Sequence, residues 1–237
     1  MFASLKLNTK DRRKIRKLFV DITYPIFRYN LSILARLCGT DKSGFHEYTK
    51  LYHIHFNQIR KQNIIILEIG VGGYNDLDYG GNSLRMWKKY FNSGQIFGID
   101  IYDKSNLEEK RIKIFQGDQK DTKFLSDVIL NIGNPNIIID DGSHINQDII
   151  VSFIHLFSYL KSGGMYVIED TQTSYLDSYG GDSLDIQNPK TTMNYFKQLI
   201  DSVNSNDIQS NEKLKSHLLV EIKKIHFYHN IIFIVKE

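Results

Sequence analysis

Apolar residues along this chain alternate between two rhythms. Short unbroken runs rich in Ile, Leu and Val recur, and β-branched apolar runs suit strands buried on both faces, as in a parallel sheet. They predict strands over 63–69, Gln95–Asp100, Ile112–Phe115, Asn136–Asp140 and Met165–Ile168. Between them the spacing turns helical. One helix is predicted from Ser83, a plausible N-cap, to about Tyr90, a second from about Gln147 to Leu160 and a third near Thr192–Val203. Helical crossovers between successive strands predict right-handed connections in a parallel sheet. Two last β-rich runs, His217–Phe227 and Ile231–Val235, are joined by Tyr228-His229-Asn230. So tight a connection predicts an antiparallel pair.

The front of the chain reads differently. Ile15, Leu18, Phe19, Ile22, Ile26, Ile33, Leu34 and Leu37 keep roughly helical spacing, broken by Pro25. Residues 1–38 are therefore predicted as a helical N-terminal extension and 39–237 as the main domain. A basic run, Lys10, Arg12, Arg13, Lys14, Arg16 and Lys17, reads first as the polar face of packed helices and second, because it is short, as an arm for nucleic acid or anionic lipid. After a turn at Gly39–Gly44, Phe45–Ile59 predicts a helix with an aromatic face made by Tyr48, Leu51, Tyr52, His55, Phe56 and Ile59. His46, His53 and His55 read as structural histidines. Residues 171–192 are polar and turn-rich and read as a lid or acceptor loop.

The first strand opens into Gly70-x-Gly72-Gly73. Glycine permits φ > 0 and lets a ligand approach the backbone closely. A buried strand running into a glycine turn is how doubly wound α/β domains hold a nucleotide-like ligand. The dinucleotide fingerprint calls for a third glycine at position 75, where Asn75 stands. Glu68 precedes the first glycine by two residues, and E-x-G-x-G is a pattern associated with S-adenosylmethionine (SAM). A parallel sheet closed by an antiparallel hairpin is also the SAM-methyltransferase variant of the doubly wound sheet. The expected fold is α/β and Rossmann-like.

Composition narrows this little. Apolar residues make up 41% and charged residues 24% of the 237 residues, ordinary for a globular protein. The formal charge of +3 gives no argument for a polyanionic partner. A single Cys38 forbids an internal disulfide and favours a reducing compartment. Asp11 to Lys17 is charged where a signal peptide would be apolar, and no run is long enough to span a membrane. A cytoplasmic protein is expected.

Ligands in open α/β sheets sit beyond the carboxyl ends of the strands. The cofactor-facing candidates collected there are Glu68, Gly70, Gly72, Ser83, Asp100, Asp118, Gln119 and Asp140. Asp100 would accept from ribose hydroxyls, and Asp118 with Gln119 would reach an adenine edge. Asp140, Asp141, Glu169 and Asp170 fall at the ends of two neighbouring strands. No nearby run of Lys or Arg would neutralise them. Converging carboxylates repel unless protonated or bridged by a cation. Oxygen ligands select a hard ion, Mg²⁺ first, with Mn²⁺ or Ca²⁺ as alternatives. His144 stands in the same loop, where an imidazole could take a proton from a substrate hydroxyl.

D-D-G-S-H (140–144), I-E-D (168–170), T-S-Y (173–175), G-T-D-K (39–42), H-x-Y (46–48) and G-N-S-L-R-M-W (81–87) together resemble the metal-dependent sugar O-methyltransferases of the mycinamicin and tetracenomycin type. The resemblance covers about residues 38–180 and the closing hairpin. It implies that Asp141, Glu169 and Asp170 hold Mg²⁺, that His144 is the general base, and that Glu68, Gly70, Asp100, Asp118 and Gln119 line a SAM pocket. Those enzymes can carry a larger N-terminal domain than the segment preceding the motifs here. Two vicinal hydroxyls could chelate the ion, which favours a saccharide acceptor, nucleotide-linked, capsular or of a natural product. Asp41, Lys42, Tyr175 and Tyr179 are candidate acceptor contacts. The amphipathic N-terminal helices suggest a homo-oligomer. The rival readings are a nucleic-acid methyltransferase, against which D-D-G-S-H stands where N-P-P-Y would be, and a non-catalytic nucleotide- or metal-binding module.

Overall fold

A computed structural model of the chain describes residues 9–205, 207 and 221–237. Its strands are β1 (Ile65–Ile69), β2 (Gln95–Asp100), β3 (Ile112–Gln116), β4 (Ile137–Asp140), β5 (Met165–Glu169), β6 (Ile222–Tyr228) and β7 (Ile231–Lys236). They form one sheet in the order β3-β2-β1-β4-β5-β7-β6. The first five run parallel. β7 lies antiparallel to both β5 and β6, so the C-terminal hairpin closes the sheet as expected. The helices are α1 (Thr9–Phe27), α2 (Leu31–Cys38), α3 (Tyr48–Phe56), α4 (Asn82–Tyr90), α5 (Thr122–Ile132), α6 (Asn146–Phe157) and α7 (Thr192–Gln198).

Both sheet faces are covered, which is why the central strands β1, β4 and β5 are apolar up to their acidic ends. Ile66, Ile137, Ile139, Val167 and Phe233 pack under α2, α3 and α4 on one face. Leu67, Ile69, Ile138, Tyr166 and Ile168 pack under α5, α6 and α7 on the other. Leu31, Leu34, Ala35 and Cys38 are buried, so α2 belongs to the first of these cores. α1 buries Val20 but leaves Leu18, Phe19, Ile22 and Ile26 exposed.

The helix boundaries differ from the sequence reading for local reasons. Glu47 takes φ 57° immediately before α3, so the helix starts later than Phe45. α4 begins at Asn82, with Gly81 at φ 66° as its N-cap. Ser83 is therefore the second helical residue and not the cap. α5 fills the crossover from β3 to β4, started by Asp121, whose carboxylate accepts from the Lys123 and Phe124 amides. Pro25 sits inside α1, and the break between the first two helices falls after it, where Asn30 caps α2 by accepting from Ile33 N at 3.0 Å. α7 passes into a 3₁₀ turn over Leu199–Asn204. The basic side chains of the Lys10–Lys17 run, and residues 217–220 of the expected strand from His217, lie outside what is described. No helix among the described residues is long and apolar enough to cross a membrane.

Candidate active site

Side chains alternate across a strand, so adjacent acids at a strand end face opposite ways. That parity sorts the acids of this sheet. Glu68, Asp141 and Glu169 share the face under α3 and α4, where Tyr52 of α3 donates to Glu169 Oε1. Asp140 goes to the α6 face. There it accepts from Ser152 Oγ at 2.7 Å, Gln119 Nε2 at 3.2 Å and the Tyr166 hydroxyl at 3.2 Å. Burial pushes its carboxyl upward against the Ser152 and Gln119 bonds. With 1% of its surface exposed, Asp140 does not join the converging acids, which corrects the grouping of four acids expected from the sequence.

Gln119 is bonded on the same side of the sheet. Its Oε1 accepts from Ser143 N at 2.8 Å while its Nε2 serves Asp140. Both ends of the amide are engaged inward, so it pins the 141–144 loop. Asp118 accepts from Lys120 N at 3.0 Å and pairs loosely with the Lys120 ammonium at 3.5 Å.

The acids on the first face do have a countercharge. Lys42 Nζ lies 2.6 Å from Asp141 Oδ2, 2.6 Å from Glu169 Oε1 and 3.3 Å from Glu68 Oε1. The lysine, expected from the sequence among the acceptor contacts, is 1% exposed and sits as an internal ion-pair centre. Burial works against its charge, but Asp141, Glu169 and Glu68 together hold the ammonium well above the usual lysine range. Burial pushes the Glu68 carboxyl up to about 7, with Lys42 pulling the other way. Neither Glu68 oxygen closes a well-aligned hydrogen bond among the described residues, although Lys42 is near and the Ser83 hydroxyl and Trp87 indole of α4 lie close enough to favour the charged form. Glu169 is pushed up by burial and then by Asp141, against Lys42 and Tyr52.

Beside this centre, Asp141, His144 and Asp170 bring one ligand atom each within 4.8 Å of one another, all partly exposed. The Tyr48 hydroxyl donates to Asp170 Oδ1 at 2.8 Å, and His46 Nδ1 lies 3.4 Å from the same oxygen. His144 Nε2 lies 3.7 Å from Asp170 Oδ2. His144 and Asp170 both hold left-handed backbone, φ 57° and 54°, a costly conformation for residues with a Cβ that tends to cluster at functional sites. The two carboxylates, with open faces, fit a hard divalent cation, and the imidazole stands beside them as a nitrogen base. Of the triad implied by resemblance, Asp141 and Asp170 meet here. Glu169 turns instead toward Lys42 and Tyr52.

The glycine loop packs against this corner. Gly70 has φ 93°, and a Cβ there would stand 2.0 Å from the Asp141 carbonyl oxygen, so only glycine lets the loops after β1 and β4 touch. Gly72, at φ 77°, faces open space. The loop is closed by Gly81 N on Val71 O at 2.7 Å and by buried Lys104, whose ammonium donates to the Asp76 and Tyr79 carbonyls at 2.7 and 3.1 Å. Asp100 accepts from Val71 N and Tyr102 N, each at 2.9 Å, holding the loop with the carboxylate expected to meet a ribose.

Residues 171–192 fold as 3₁₀ turns at Thr171–Tyr175 and Asp177–Tyr179, followed by irregular chain. Asn146 anchors them: its amide donates to the Thr173 and Tyr179 carbonyls at 3.0 and 2.9 Å and accepts from Thr192 N at 2.6 Å. The Tyr179 ring lies 6.5 Å from that of His144. Asp41 and Tyr175 are exposed, and neither is hydrogen-bonded to the cluster among the described residues. Sequence reasoning took His46 as structural, gave Tyr48 and Tyr52 only a place on an aromatic helix face, and left out Asn146. The H-x-Y motif (46–48) was the signal that could have brought His46 and Tyr48 to the site.

The chain is 42% identical over 209 residues to mycinamicin VI 2''-O-methyltransferase of Micromonospora griseorubida, covering 87% of this chain and 52% of that protein. It is 40% identical over 207 residues to 8-demethyl-8-alpha-L-rhamnosyl tetracenomycin-C 2'-O-methyltransferase of Streptomyces olivaceus, covering 87% and 54%. The chain spans about half the length of the curated relatives it matches. Among solved structures, MycE methyltransferase of the mycinamycin pathway, in complex with Mg and SAH, superposes with a TM-score of 0.83 at 44% identity, over 87% of this chain and 54% of that one. No family model matches the chain. By sequence and by fold, the chain is a relative of the sugar O-methyltransferases of the mycinamicin and tetracenomycin type, with the Rossmann-like sheet of a class I SAM-dependent methyltransferase.

Proposed function

We propose that this chain transfers a methyl group from SAM to a hydroxyl of a saccharide, with a divalent cation, Mg²⁺ first, held at Asp141 and Asp170 and bordered by Glu169. The observation that carries the reading is the Asp141, His144 and Asp170 group at the carboxyl ends of β4 and β5, on a sheet like that of MycE in complex with Mg and SAH. The acceptor class follows the relatives, whose names specify sugar hydroxyls.

Transfer joins the acceptor oxygen to the methyl carbon and releases S-adenosylhomocysteine. SAM supplies an already activated methyl group. A divalent ion supplies Lewis acidity, which lowers the pKa of a hydroxyl. The remaining work falls to side chains. His144 Nε2 takes the acceptor proton, and Asp170, 3.7 Å away, stabilises the imidazolium. Tyr48 and His46 fix the other oxygen of Asp170, so this carboxylate cannot swing away. Gly72 offers the open approach for the cofactor, and Asp100 holds the loop that carries it. Tyr179 stands at the rim over His144, where a sugar face would rest, and Asn146 keeps that rim in place. Oxygen, carbon and sulfur must be aligned for in-line displacement, and rigid anchoring of both loops serves that alignment.

The test is methyl transfer from labelled SAM to glycosylated polyketides, nucleotide-linked sugars and free rhamnose, with Mg²⁺ or with EDTA. Transfer to one sugar class is expected, falling ~100-fold or more with EDTA or in Asp141→Ala, the scale expected when a charge-stabilising group is lost from a site. Full turnover in EDTA contradicts the cation role. Methylation of RNA or DNA, and of no sugar, contradicts the acceptor class.

A further inference from the structure

Lys42 stands where the two parts of the site meet. Its ammonium touches Glu68 beside the glycine loop, and Asp141 and Glu169 at the tips of β4 and β5. It reaches them from the turn between α2 and α3, which is fastened without help from the acids. Gly39 N donates to Ala35 O at 2.8 Å, Thr49 N donates to Lys42 O at 3.1 Å, and Asn82 Nδ2 donates to Gly39 O at 2.8 Å. The backbone therefore presents the ammonium at a fixed point.

Asp141 is the acid common to both arrangements. One of its oxygens is 2.6 Å from Lys42, and the residue also belongs to the group with His144 and Asp170. A cation bound to that group would share Asp141 with a buried ammonium. Like charges a few ångströms apart in a partly desolvated site repel strongly. Without any cation, Asp141 and Glu169 would repel each other across adjacent strands.

We propose that Lys42 is a built-in counter-cation that tunes the divalent site. It keeps the acids assembled before the ion arrives, and by sharing Asp141 it holds the affinity for a divalent ion below what the acids alone would give. Lys42 is thus a positioning residue, with no contact to the reacting atoms. The inference rests on the cation part of the function proposed above. A lysine with only a structural role would support the fold and leave cation binding unchanged once the protein is folded.

The experiment is calorimetric titration of Mg²⁺ into the full chain, with thermal melts in EDTA and in saturating Mg²⁺, for the wild type, Lys42→Met and Glu68→Gln. Lys42→Met is expected to melt lower than the wild type in EDTA, to bind Mg²⁺ roughly tenfold more tightly or better, and to show the larger rise in melting temperature with Mg²⁺. Glu68→Gln, which removes one negative charge, is expected to bind Mg²⁺ more weakly than the wild type. Unchanged or weaker Mg²⁺ binding by Lys42→Met overturns the inference. So does a Lys42→Met protein that stays unfolded in saturating Mg²⁺, because the ion should then replace the missing charge. If the wild-type chain binds no Mg²⁺, the cation reading itself fails and takes this inference with it. Wild-type binding with no change in Lys42→Met removes this inference alone.

Discussion

Tyr48, Tyr52 and His55 stand on one side of α3, and each turns a polar atom toward a partner that its ring alone does not predict. The two phenols end on Asp170 and Glu169. His55 stacks on Phe233 with ring centroids 4.1 Å apart, and its Nε2 lies 3.1 Å from the Tyr228 hydroxyl. Burial first, then His226 and Lys224, lower its pKa from the usual 6.5 to about 4. The unfolded chain therefore binds a proton between those values that the folded chain refuses. The contribution to stability is complete above pH 6.5 and is lost as pH falls toward 4. Urea unfolding at several pH values should show that decline in the wild type and a shallower one in His55→Phe, which keeps the stack but cannot titrate. Equal slopes would rule it out. At this scale the sequence was only partly legible. Strand parity alone separates Asp140 from Asp141, so that division could have been read. The Lys42 pairs could not, because they join positions 99 and 127 residues apart, and no local spacing encodes such a contact.

Among the elements, the parallel strands were the most legible, because burial on both faces leaves each of them a dense apolar signature. The β2 boundaries agree with the sequence reading to the residue. Helix starts were less legible, because Glu47 and Gly81 hold left-handed backbone that periodicity does not report. α5 went unnamed although Leu125, Val128, Ile129 and Ile132 repeat at helical spacing and are buried. The glycine loop separates conformational from steric need. Gly70→Ala meets both a positive φ and a backbone atom at 2.0 Å, and should cost ~3 kcal/mol or more. Gly72→Ala meets only the positive φ and should cost about 1–2 kcal/mol. If the open space at Gly72 receives the cofactor, its alanine variant stays folded yet binds S-adenosylhomocysteine at least roughly tenfold more weakly, since an added methyl there would displace the ligand. Chemical denaturation and calorimetry check the two effects separately. A Gly72→Ala protein with wild-type affinity would move the cofactor away from this loop.

Over the whole molecule, one sheet with a helical layer on each face delivers the ends of β1, β4 and β5 to a single edge. The order β3-β2-β1-β4-β5-β7-β6 makes β4 the shared neighbour of β1 and β5. A glycine loop, an acid pair and a histidine from distant parts of the chain meet there for that reason. The motifs alone point to this edge, because ligand positions in open α/β sheets follow from topology. They do not reveal that Lys42 and the α3 tyrosines bond to its acids. The most direct measurement is a crystal of the chain soaked with Mn²⁺ and S-adenosylhomocysteine, analysed by anomalous scattering. The account predicts a peak bounded by Asp141 and Asp170 with His144 alongside, and S-adenosylhomocysteine over Gly72. An ordered site with no peak between those carboxylates, or a cofactor bound away from the ends of β1 and β4, would contradict it.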